Sequence, residues 1–163
     1  MKTLLVLRHA KSSWNDPSID DHDRPLNARG THDAPRMGLL VRELQLAPDV
    51  IISSDAVRAR VTAAAVAEAL GSAEEIRLER RLYLASPADI AAVVRSVPAS
   101  ATTAMIVGHN PGLEQLVERL TGESNELPTG ALAQIALPIE RWRDLKVSTR
   151  GKLIGLWRPK ELA

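Results

Sequence analysis

Arg8 and His9 stand side by side where a run of four apolar residues, Leu4 to Leu7, gives way to polar sequence. Arg58 follows a second apolar run, and His109 closes a third within Gly108-His109-Asn110-Pro111. Guanidinium groups match phosphate oxygens in a bidentate way, so arginines and histidines gathered at one place make an anion site for which phosphate is the best fit. A neutral imidazole, with an ordinary pKa of about 6.5, is a nucleophile near neutrality. Attack by His9 on phosphorus would give a phosphohistidine intermediate and split the reaction into two steps. Arg8, Arg58 and His109 would then stabilise charge on the equatorial oxygens in each step. With that stabilisation supplied by side chains, the reading needs no metal and no other cofactor. The spacing of His22 and His32 relative to His9 and His109 matches no standard zinc pattern, and nearby arginines would repel the ion.

The elements around these residues must bring them together. Leu4–Leu7 is apolar on both faces, the pattern of a central parallel strand. Asp49–Ser53 and Thr103–Val107 read as further buried strands, and Glu75–Leu78 as a weak one. In an open α/β sheet, ligands sit beyond the carboxyl ends of the strands. Three strand-to-helix junctions, carrying Arg8-His9, Arg58 and His109, would open on one edge if their strands are parallel, with helix N-termini aimed there. Residues 10–29 read as a long polar loop broken by Pro17 and Pro25, and a loop of that length is more often functional than idle.

The helices follow from apolar spacing. Met37, Leu40, Val41 and Leu44 share one face of a helix that Pro35 starts or kinks. Ser54 or Asp55 is expected to cap the next, with Val57, Val61, Ala64, Ala65 and Ala69 inward and Gly71 at its end. Ser86-Pro87 opens a third, burying Ile90, Val93, Val94 and Val97. Leu113, Leu116, Val117 and Leu120 form the stripe of a fourth. Ala131–Leu137 and Lys152–Trp157 look like strands paired at a sheet edge. The expected fold class is α/β: a three-layer α/β/α sandwich whose mostly parallel central sheet has an antiparallel edge.

The 163 residues suffice for one domain, 1–163, with a substantial core. There is no Phe and aromatics are 2%, so Leu, Val, Ile and Ala must build that core. With 21 basic and 20 acidic residues the net charge is +1, which argues against nucleic acid or a membrane surface as main partner. The absence of cysteine excludes disulfides and thiolate nucleophiles. The apolar stretch near the N-terminus is too short for a signal peptide, and no run approaches a membrane span, so a cytoplasmic location is expected by default.

The set of motifs resembles the histidine phosphatase superfamily, also called phosphoglycerate-mutase-like. It comprises Leu7-Arg8-His9-Ala10-Lys11-Ser12, Arg24-Pro25-Leu26-Asn27 with Arg29-Gly30, Ser54 with Arg58-Ala59 and Thr62, and Gly108-His109-Asn110-Pro111. The resemblance implies that His9 is the phosphorylated nucleophile, that Arg8, Arg58 and His109 form the phosphate pocket, and that Arg24 is a further contact from a loop over the site. Ala10 stands where larger branches have glycine, and the short Arg-His-Ala-Lys-Ser form looks like the SixA-like branch, whose type activity removes phosphate from phosphohistidine in signalling proteins.

Many relatives in that superfamily also have a carboxylate that protonates the leaving oxygen. Glu79 is the candidate acid here, with Asp21 and Asp23 weaker ones. A missing acid favours an N–P bond or an activated phosphoester, because imidazole is a far less basic leaving group than an alkoxide. The expected partner is thus a phosphorylated protein or a small phosphorylated molecule, with inorganic phosphate as product. The alternatives are a broad small-phosphoester hydrolase, a non-catalytic phosphate-binding module and, more weakly, a mutase. Lys11 and Trp14 either contact substrate or close the loop on the body.

Overall fold

In the computed structural model, which describes residues 1–72 and 75–162, six strands form one mixed sheet. They are β1 (Lys2–Arg8), β2 (Val50–Ser53), β3 (Arg77–Leu78), β4 (Thr103–Gly108), β5 (Leu132–Leu137) and β6 (Lys152–Trp157). Their order across the sheet is β3-β2-β4-β1-β5-β6. β1, β4, β2 and β3 run parallel, with Leu7 opposite Val107 and Val107 opposite Ser53. β5 pairs antiparallel with β1, and β6 antiparallel with β5. β1 is therefore central but parallel on one side only.

Alternation along β1 feeds both faces of the sheet. Leu4 and Val6 join the core formed with α3 (Pro87–Val94) and α4 (Gly112–Thr121). Leu5 and Leu7 join the core formed with α1 (Ala28–Glu43) and α2 (Val57–Leu70). This is the three-layer α/β/α arrangement. Aliphatic side chains and alanine dominate both cores, but Trp142 is fully buried in the first, its indole N–H donating to Ala101 O at 2.8 Å.

Two elements differ from their sequence expectation. α1 begins at Ala28, ahead of Pro35, because the Asn27 side chain accepts from Gly30 N at 2.9 Å and caps it; Pro35 lies inside the helix. In α2 the buried residues are Arg58, Ala59, Thr62, Ala63, Val66 and Ala67, while Val61 and Ala64 face outward. The expected apolar stripe is thus displaced around the helix. An alanine-rich helix has little contrast between faces, and the polar partners waiting for Arg58 and Thr62 decide which one turns in. Neither Ser54 nor Asp55 caps α2: it starts after Ala56 without a side-chain cap.

The loop after β1 is tied down by its own backbone. Ser13 N–H donates to Pro25 O at 2.8 Å, and Asn27 N–H donates to Lys11 O at 3.0 Å. Gly30 packs against that turn so closely that a Cβ would lie 2.1 Å from Lys11 O. Only glycine allows the approach. Residues 21–23 add a single 3₁₀ turn to the loop.

Candidate active site

Arg8 ends β1, His9 follows it, and His9 N–H donates to Gly108 O of β4 at 3.1 Å. Since β1, β2 and β4 are parallel, their carboxyl ends share one edge, and that edge holds a cavity of about 410 Å³. Arg8, His9, Arg24, Arg58 and His109 all line it. Glu79 does not. Its carboxylate is taken by Arg81 at 3.0 Å and Arg77 at 3.7 Å, and the structure does not bring this expected acid to the other residues.

The His9 ring is oriented by its neighbour. Nδ1 lies 2.7 Å from Ala10 O. A carbonyl only accepts, so Nδ1 carries the proton and the lone pair is left on Nε2. Ala10 is itself held, its N–H donating to Thr62 Oγ1 at 3.0 Å while that hydroxyl donates to Arg58 O at 2.7 Å. One buried threonine thus links the histidine's orienting carbonyl to the helix turn that carries Arg58.

His109 stands beside His9, its Nε2 2.8 Å from Ser54 Oγ. Ser54 accordingly serves the second histidine as well as accepting from Ala56 N–H at 3.2 Å. Burial pushes the His9 pKa down to about 4, and the positive charges of Arg58, Arg8 and Arg24 add to this against the Ala10 hydrogen bond. Burial likewise pushes His109 down to about 3, with His9, Arg58 and Arg8 contributing in the same direction. Both rings are neutral near pH 7.

Asp21, in sequence a weaker candidate than Glu79 for the general acid, has a different place. It lines the cavity and receives Arg58 Nη2 at 3.0 Å, Arg24 Nε at 3.1 Å and the Tyr83 hydroxyl at 2.5 Å. Burial alone would raise its pKa, but these hydrogen bonds and the Arg58 charge outweigh it and hold the carboxyl at about 2. Asp23, the other weak alternative, lies 3.5 Å from His22 Nδ1. His22 also reaches Asp55 at 2.8 Å, which explains why Asp55 is not a helix cap. Among the described residues no group of three or more His, Asp or Glu is placed to hold a metal ion.

Tyr83, the chain's sole tyrosine, and Leu84 reach the site from the stretch between β3 and α3. Tyr83 meets the His109 ring edge-on at 5.4 Å, and Leu84 lines the cavity. Apolar periodicity carries no signal for either. Trp14 also lines the cavity and is 72% exposed, with the Arg24 guanidinium 3.4 Å from its ring centroid. Arg24 also donates to Ser12 Oγ at 2.9 Å, so the loop is pinned by the same arginine that faces the cavity.

A family model described as the histidine phosphatase superfamily (branch 1) matches residues 4–83. An uncharacterized chloroplastic protein of Arabidopsis thaliana is 33% identical, over 97% of this chain and 78% of that one. A crystal structure of a candidate phosphohistidine phosphatase SixA from Agrobacterium tumefaciens superposes with a TM-score of 0.83 at 28% identity, covering 97% of this chain and 98% of the other. A similar candidate from Nakamurella multipartitia gives 0.83 at 29% identity, over 97% and 96%.

Proposed function

The chain belongs to the histidine phosphatase superfamily, in its SixA-like branch, and is a phosphatase; from that premise we propose that it works through a phosphohistidine on His9 and that its substrate is phosphohistidine in a phosphotransfer or signalling protein. The observation that carries this reading is the His9–Ala10 hydrogen bond, which leaves Nε2 with a lone pair in a cavity shared by Arg8, Arg58 and His109. The reading takes residues 1–163 as one domain.

The Nε2 lone pair forms the bond to phosphorus as the bond from phosphorus to the leaving group breaks, that group departing with the electron pair. Water then adds to phosphorus, the N–P bond to His9 breaks with its electrons returning to the ring, and phosphate leaves. Arg8 and Arg58 hold the transferring oxygens, and His109 faces the same charge as a neutral donor. Arg24 steadies the loop and offers a further contact.

Two observations support a phosphohistidine over an alkyl phosphate. Asp21 is held ionised and Glu79 lies outside the cavity, so neither is poised to protonate a basic alkoxide. An imidazole leaving group needs less help. The rim also presents exposed Trp14 and Leu84, apolar surface suited to another protein.

Hydrolysis of p-nitrophenyl phosphate by wild type and His9→Ala, with and without chelator, tests the mechanism. The expected outcome is a loss of at least about 10³-fold in the variant, no effect of chelator, and an acid-labile phosphoenzyme in wild type only. Turnover surviving in the alanine variant, or abolished by chelator, overturns it. The substrate is tested by comparing kcat/KM for a phosphohistidine-bearing protein with a panel of small phosphoesters; a higher value for any of the esters overturns the substrate assignment.

A further inference from the structure

A second cavity, of about 470 Å³, adjoins the first and shares Arg8, Lys11 and Thr129 with it. Its remaining wall comes from Pro128 ahead of β5, from the start of α1 and from the segment after β6. Five cations line it (Arg8, Lys11, Arg29, Arg158 and Lys160) against two carboxylates, Asp33 and Glu161. In a chain whose net charge is only +1, this is a local concentration of positive charge. The carboxylates are already engaged: Asp33 lies 3.5 Å from Arg29, and Glu161 lies 3.5 Å from Arg158. Arg158 is further fixed by the Glu126 carbonyl, which accepts from its Nη2 at 3.0 Å. Lys11 and Lys160 make no ion pair among the described residues.

We infer that this cavity receives a second anionic group carried by the phosphorylated substrate, so that the protein selects substrates with a carboxylate or second phosphate beside the scissile one. The inference rests on the first cavity being the phosphatase site. A phosphoryl group held by Arg8 sits at the boundary between the two cavities, and an anion attached nearby falls toward Lys11 and Lys160. A neutral neighbour would leave that positive field uncompensated. The second anion has two sources, an acidic side chain next to a phosphorylated residue in a protein or a second acidic group on a small molecule.

The experiment compares wild type with Lys160→Glu on four probes. p-Nitrophenyl phosphate reports the basal reaction. Two phosphohistidine peptides, with alanine or glutamate flanking the phosphorylated residue, form one arm; phenyl phosphate and its ring-carboxylated analogue form the other. An exposed charge pair is worth up to about five-fold, so wild type should favour the anionic member of at least one arm by about two- to five-fold, and less at high salt. Lys160→Glu should erase or reverse that preference while leaving p-nitrophenyl phosphate turnover unchanged. A preference in the peptide arm alone assigns the anion to a protein substrate, and one in the ester arm alone to a small molecule. No preference in either arm, or a preference untouched by Lys160→Glu, overturns the inference. Absence of p-nitrophenyl phosphate turnover in wild type would instead overturn the phosphatase site itself.

Discussion

The imidazoles of His9 and His109, far apart in the chain, stand with ring centroids 5.1 Å apart and planes tilted by 49°. Parallel pairing of β1 with β4 makes this proximity, because Arg8 lies in register with Gly108 and the residue just past the end of each strand is a histidine. Two basic rings so close, buried and surrounded by guanidinium groups, cannot both hold protons near neutrality. Their neutrality suits one to attack and the other to donate a hydrogen bond.

Activity should therefore persist into acid. His9 titrates at about 4, below its ordinary 6.5, so the nucleophile stays unprotonated until the pH falls toward 4. The acid limb of kcat/KM is expected near 4, measured with a substrate whose own ionisation is corrected for. A limb at 6–7 would show that His9 behaves as an exposed histidine.

The same burial makes the fold acid-sensitive. Between about 6.5 and 4 the unfolded chain binds protons at His9 and His109 that the folded chain refuses, so stability rises with pH across this window and is lost as pH falls through it. The loss is on the order of 3 kcal/mol per histidine. Urea midpoints at pH 7 and pH 4.5 measure it, and His109→Gln should shrink the difference. Equal midpoints in wild type would contradict it.

Asp21 occupies Arg58 and Arg24, and is expected to compete with phosphate for both. Asp21→Asn keeps the shape but removes the charge, so the arginines face the cavity less compensated. Inorganic phosphate should inhibit a few-fold more strongly. The weakened ion pairs should lower Tm by about 2–4 °C. Competitive inhibition constants and a thermal melt read both effects, and weaker phosphate inhibition would refute the competition.

Thr62 is predicted to act on catalysis through Ala10. Thr62→Val removes the acceptor for Ala10 N–H, leaving a buried donor unpaired at a cost of about 1–3 kcal/mol. The Ala10 carbonyl then no longer fixes the His9 ring. kcat should fall about ten-fold or more with KM little changed, and Thr62→Ser should restore it. A variant with lowered Tm but unchanged kcat would confine Thr62 to stability.

The sequence by itself determined the strands, their parallel core and the edge where Arg8, His9, Arg58 and His109 meet. These follow from short-range signals: apolar runs bury wherever a sheet forms, and a residue just past a parallel strand lies at its carboxyl edge whatever its neighbours do. Tertiary structure alone decided which face of α2 turns inward, since alanines offer little preference. There Gly38 lets α1 approach so closely that a Cβ would lie 2.7 Å from the Ala69 Cβ. It also decided that Ser54 serves His109, that Tyr83 reaches the mouth, and that Asp21 clamps two arginines while Glu79 stays outside. Each of these depends on a polar atom finding a partner many residues away. Hydrogen-bond partners are chosen by three-dimensional distance and by the cost of leaving a buried group unpaired, and no local pattern in the chain encodes either.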